Sequence, residues 1–151
     1  MARTAASAAA PDPGRRPSGR SGQIVSVPEF RRWMAGLDRD ARSRVIALAQ
    51  RVHADPARHH RPLVDTLKGS RMANLKELRV GPTARVLFAR DPARNTVMLF
   101  GGDKAGQTRR FYREAVPRAE RSYARHLNRI GKEAPWQHRN PPTRRPPSQE
   151  R

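Results

Sequence analysis

Residues 74–112 read NLKELRVGPTARVLFARDPARNTVMLFGGDKAGQTRRFY. β-branched and aromatic residues fall in three short runs, and Gly81-Pro82 and the Asp91-Pro92 to Asn95 segment punctuate them as turns. The pattern predicts strands over 75–80, 85–90 and 96–100, joined as an antiparallel meander. Successive strand side chains point to opposite faces. Glu77 and Arg79 therefore share a face on the first strand, with Lys76 on the other. On the second strand Arg85 and Leu87 share one face, while Val86 and Phe88 share the opposite one. With Val86 and Phe88 in the core, Arg85 is expected beside Glu77 and Arg79 on a partly open surface. Lys104, Arg109, Arg110 and Tyr112 follow the third strand and are expected to close the same patch. A cationic hollow holding one carboxylate and one phenol suits a phosphodiester.

Composition narrows the partners. The chain has 151 residues and a formal net charge of +19, and its pI is near 11.9. Such a surface attracts polyanions: nucleic acid, acidic proteins or anionic lipid. No run approaches the roughly 20 apolar residues of a membrane-spanning helix, and no stretch reads as a signal peptide. With no cysteine, disulfides and thiolate metal sites are excluded, which fits a cytoplasmic protein. Adjacent His59 and His60 lack a nearby third ligand, so neither a metal nor a cofactor is expected.

Outward from the meander, residues 1–22 and 133–151 are rich in Ala, Pro, Ser and Arg, and read as disordered basic tails around one domain over 23–132. Gln23 to Val27 alternates as a first strand. Pro28 opens a helix whose apolar stripe is Phe30, Trp33, Met34 and Leu37. Asp38 caps a second helix that buries Ala41, Val45, Leu48 and Val52 and turns Arg42, Arg44 and Arg51 outward; Asp55-Pro56 ends it. Residues 62–70 read as a connector. Val116, Ala119, Tyr123, Leu127 and Ile130 place a last amphipathic helix over 114–130, stopped by Gly131. The expected fold is α+β, in the order β-α-α-β-β-β-α, with a small antiparallel-dominated sheet packed against helices.

Three segments, PLVDTLKGSRMANLKELR, RVLFARDPARNTVMLFGGDK and FYREAVPRAERSYARHL, resemble the RelE/ParE superfamily of type II toxins, in its HigB-like branch. The resemblance spans about Val25 to Lys132. It implies a bacterial toxin that causes growth arrest by cutting mRNA on the ribosome, with an antitoxin partner, commonly a helix-turn-helix protein from the adjacent gene. It also implies that Arg85 contacts the scissile phosphate and that Lys104, Arg110 and Tyr112 complete the site. The sequence departs from the RelE pattern at Glu77, where the superfamily's namesake carries a lysine.

RNA supplies its own nucleophile, the 2′-hydroxyl. A metal-free endoribonuclease then needs a base for that hydroxyl, cations around the phosphorane-like charge, and an acid for the leaving 5′-oxygen. Arg79 and Arg85 can fork onto phosphate oxygens. Glu77, kept ionised among cations, is the candidate base. Lys104 or Tyr112 is the candidate acid, and Tyr112 can alternatively stack on a base. Lys76, Arg109 and Arg110 are candidate RNA-binding residues. Two other functions fit the same sequence: a ParE-like toxin directed at DNA gyrase, and a noncatalytic RNA- or ribosome-binding module, for which charge alone suffices.

Overall fold

The computed structural model describes residues 22–132, so the tails expected at either end lie outside the described residues, Gly22 excepted. Five strands form one sheet in the order β1-β5-β4-β3-β2: β1 (Ile24–Ser26), β2 (Val64–Thr66), β3 (Lys76–Arg79), β4 (Ala84–Arg90) and β5 (Thr96–Asp103). The expected meander is β3-β4-β5, antiparallel throughout. β1 adds to β5 in parallel. The segment expected to be a connector instead supplies β2, an edge strand antiparallel to β3. The observed order is therefore β-α-α-β-β-β-β-α. Three residues are too few to show a period of two, so this strand exists through its pairing with β3 rather than through local pattern.

Helix α1 (Pro28–Ala35) begins at the proline, which needs no hydrogen-bond partner for a missing N–H. Helix α2 (Arg39–Ala54) is capped where Asp38 accepts from the Ala41 amide at 2.8 Å. Arg42 was expected to face solvent; its guanidinium also donates to the carbonyls of Met34 and Leu37, tying the start of α2 to the end of α1. Val45, Ala49 and Val52 are the buried face of α2. Helix α3 runs from Thr108 to Arg129, beginning six residues earlier than the apolar spacing suggests. Arg109, Arg110 and Tyr112 consequently stand on its first turns.

The sheet is covered on both faces. Register places Leu78, Val86, Phe88 and Met98 on one side, where Ala49 and Val52 of α2 lie over Leu78, Phe88 and Met98. Glu77, Arg79, Arg85, Leu87 and Phe100 share the other side, under α3. The paired glycines at the end of β5 make both packings possible. A Cβ on Gly101 would come within 2.0 Å of the Trp33 ring of α1, and one on Gly102 within 2.9 Å of Phe111 of α3. The two helices thus press on opposite faces of one strand, and the Gly-Gly pair serves that packing.

Candidate active site

Arg79 and Arg85 are directly opposite each other on β3 and β4, with Glu77 two residues along the same face. The three candidate residues expected to converge do so. Arg85 Nε lies 3.7 Å from Glu77 Oε1, and Arg79 Nε lies 4.0 Å from the same oxygen. The surface is less open than parity alone suggests: the side chains of Glu77 and Arg85 are 3% and 5% exposed, whereas Arg79 is 42% exposed. The cause is α3, whose first turns cross this face. Phe111 meets Phe100 edge-on at a ring separation of 5.9 Å and Tyr112 at 5.1 Å, fixing the phenol over the pair.

Arg85 is held from behind. Its guanidinium donates to the carbonyls of Gly81 at 2.8 Å, Ala84 at 2.9 Å and Pro82 at 3.3 Å, so it is bound to the β3–β4 turn rather than reaching outward. Arg85 Nε and Glu77 Oε2 are nonetheless buried without a well-formed hydrogen bond. Burial first, and then the adjacent Glu77 carboxylate, push the Tyr112 pKa up to about 12, with Arg85 opposing. At neutral pH the phenol therefore keeps its proton and can only donate it. The arrangement is a buried carboxylate between two guanidinium groups, one fixed and one half-open, beneath a protonated phenol.

The remaining candidates divide. The backbone of Lys104 donates to the Thr83 carbonyl at 2.9 Å, which places it at the turn that holds Arg85. Arg109 is exposed, and Arg110 pairs with Glu114 at 3.3 Å, also in solvent. Lys76 points to the opposite face, where it borders an open polar cleft with His59, His60 and Arg61. It stands apart from Glu77 and Arg85. Among the described residues, no cluster of three or more His, Asp or Glu could hold a metal ion, and no helix is long and apolar enough to cross a membrane.

Sequence reasoning missed a second polar cluster at the far end of α3. His126 Nε2 lies 2.6 Å from Asp91 Oδ2, both side chains at most 4% exposed. Asn95 donates to Asp91 through its backbone and side-chain amides, each at 2.9 Å. The Tyr123 hydroxyl and the Asn74 amide both donate to the Arg90 carbonyl. Burial works to raise the Asp91 pKa, but the bonds from His126 and Asn95 outweigh it and hold the carboxyl below its ordinary range. These contacts pin α3 to the β4–β5 turn. The partners are 35 residues apart in the chain, and Asp91-Pro92 reads as turn punctuation, so nothing local announces the pair.

The chain matches the family model of phage-derived Gp49-like proteins over residues 32–124. Two proteins of Mycobacterium tuberculosis that carry the names of toxins, HigB2 and HigB3, are each 39% identical to it. The match to HigB2 covers 70% of this chain and 55% of that protein, so the chain spans about half the length of that relative. The match to HigB3 covers 64% of this chain and 86% of that protein. Among solved structures, the archaeal RelE–RelB complex of Pyrococcus horikoshii gives a TM-score of 0.48 at 14% identity, over 56% of this chain and 97% of that one. The toxin–antitoxin complex RelBE2 of M. tuberculosis gives 0.44 at 19%, over 54% and 95%. The extent of the family match and the identity to HigB3 place this chain in the Gp49-like, HigB-type family.

Proposed function

We propose that this protein is the toxin of a type II toxin–antitoxin pair and acts in the cytoplasm as a metal-independent endoribonuclease on mRNA at the ribosome. The observation that carries the reading is the meeting of Glu77, Arg79, Arg85 and Tyr112 in one cluster under the start of α3. Arg79, the half-open guanidinium, binds the phosphate. Arg85, bound to its turn beside Glu77, adds positive potential as negative charge grows on the phosphorane. Glu77 accepts the 2′-hydroxyl proton as that oxygen attacks phosphorus. The P–O5′ bond breaks, and the departing oxygen takes a proton from Tyr112 or Lys104, leaving a 2′,3′-cyclic phosphate and a free 5′-hydroxyl.

The burial of Glu77 means the first turns of α3 must shift for RNA to reach it, and ribosomal contacts are suited to driving that shift. A charge of +19 also fits an acidic antitoxin segment as the neutralising partner. The test is to add purified protein to programmed ribosomes and map mRNA ends. The wild-type chain should cut, and Arg79→Ala and Tyr112→Phe should each lower the rate by about 10²- to 10⁴-fold, the range for one positioned proton-transfer or charge-stabilising group. Cutting unaffected by both variants would remove this site. Absence of cutting, together with inhibited DNA supercoiling, would support the gyrase-directed reading instead.

A further inference from the structure

Residues 113, 117, 121, 125 and 129 are Arg, Pro, Arg, Arg and Arg, all exposed and all on α3. They form a single i, i+4 ridge, each step rising about 6 Å and the whole about 24 Å. Like charges at i, i+4 work against a helix, so this arrangement carries a cost that solubility does not require. Arg110 and Arg118 have acidic partners, Glu114 and Glu29. Arg113, Arg121, Arg125 and Arg129 pair with no carboxylate among the described residues. The first turn of α3 also contains no acidic residue, although the helix dipole would favour one there. The ridge starts one residue past Tyr112, beside the hollow, and ends in the turn beyond His126, where the helix is pinned.

We propose that this ridge is a track for the backbone of single-stranded RNA leaving the Glu77–Arg85 hollow; the inference rests on the ribonuclease reading and extends it beyond the reacting phosphate. The contacts of Tyr123 and His126 hold the C-terminal half of the track, Arg121 to Arg129, in a fixed direction relative to β4 and β5. Four guanidinium groups without a carboxylate partner among the described residues, spaced along one helix, suit a row of phosphates and require no base sequence. The ridge therefore supplies affinity and orientation, and leaves sequence choice to the hollow.

The experiment measures binding of the whole chain to 2′-O-methylated RNA, which cannot be cleaved, as a function of salt. Single-stranded sites run to about 4–16 nucleotides, so a long RNA of about twelve and a short one of about four separate track from hollow. Each neutralised phosphate contributes about 0.7 to the slope of log K against log salt. The variant with Arg113, Arg121, Arg125 and Arg129 all changed to Gln should lose about 2.8 from the slope on the long RNA and nothing on the short one. Arg121→Gln with Arg125→Gln, a milder change, should lose about 1.4. Gln has nearly the helix propensity of Arg, so an unchanged thermal melt checks the fold. An unchanged slope on the long RNA, or equal losses on both lengths, overturns the track. So does a loss seen only with an acidic polypeptide such as polyglutamate. Cleavage of unmodified mRNA on programmed ribosomes by the wild-type chain is read in parallel: cleavage with an unchanged slope sinks the track and keeps the nuclease, whereas a slope loss without any cleavage keeps the track and sinks the nuclease.

Discussion

Replacing Arg85 by Leu tests whether the buried guanidinium holds the fold as well as the chemistry. The change leaves Glu77, 3% exposed, with the Arg79 guanidinium at 4.0 Å as its one remaining cation among the described residues, and that group is 42% exposed. Breaking a buried pair by removing one partner costs about 3–5 kcal/mol, of which a half-open arginine recovers at most about 1 kcal/mol. The expected loss is about 2–4 kcal/mol, a sizeable part of a domain's usual 5–15 kcal/mol. For a domain of about 110 residues this lowers Tm by about 8–16 °C. Removing both charges, as Glu77→Leu with Arg85→Leu, leaves no stranded ion and should be close to neutral. Urea unfolding of the wild type, Arg85→Leu, Glu77→Leu and the double variant, followed by fluorescence of Trp33 where it packs on Gly101, gives the coupling directly, and it should exceed about 2 kcal/mol. None of the three variants should cut RNA. A single Arg85→Leu cost below about 1 kcal/mol, or a double variant as damaged as the sum of the singles, would refute the buried pair; the first result would mean that Arg85 swings free in solution.

Gly101→Ala should destabilise by more than about 2 kcal/mol, because the new methyl would meet the Trp33 ring at 2.0 Å; chemical denaturation checks it. The lowered Asp91 pKa makes its contribution to stability fully present above about pH 4, the ordinary carboxylate value, and lost as pH falls below it. Asp91→Asn should therefore flatten the acid limb of a Tm-versus-pH curve, and an unaltered limb would show that the pair contributes nothing there. With the Tyr112 phenol raised to about 12, cleavage by the wild-type chain should show no limb from this group between about pH 6 and 9; a Tyr112-dependent fall in that range would contradict its burial.

The meander and the shared face of Glu77, Arg79 and Arg85 were legible because a period of two in β-branched and aromatic residues is a local property. Which of the two faces lay open was not. Val86 and Phe88 identified one core, but burial of the Arg85 side depends on Phe111 and Tyr112 arriving from α3, and that helix begins before its apolar stripe does. Its first turn, Thr108 to Phe111, offers one apolar residue among polar ones, too few to establish a period of 3.6. β2 escaped for a similar reason. Val64 and Thr66 favour a strand, but three residues with Asp65 between them are too few to show a pattern, and their pairing is set by Leu78, Glu77 and Lys76 across the sheet. Asp91 with His126 needed the tertiary fold itself.

The parallel edge of the sheet also bears on when the molecule can exist. Ile24 pairs with Thr96, and the Gln23 amide binds the Asn95 side chain 72 positions away, so the opening strand has no mate until the fifth has been made. α1 is in the same position, since Trp33 rests on Gly101. Contacts of such long separation form late. A nascent chain emerging from the translation machinery thus carries β1 and α1 unassembled, and Glu77 and Arg85 gain Tyr112 above them only once the final helix has emerged, so the cluster is completed after most of the polypeptide has been made.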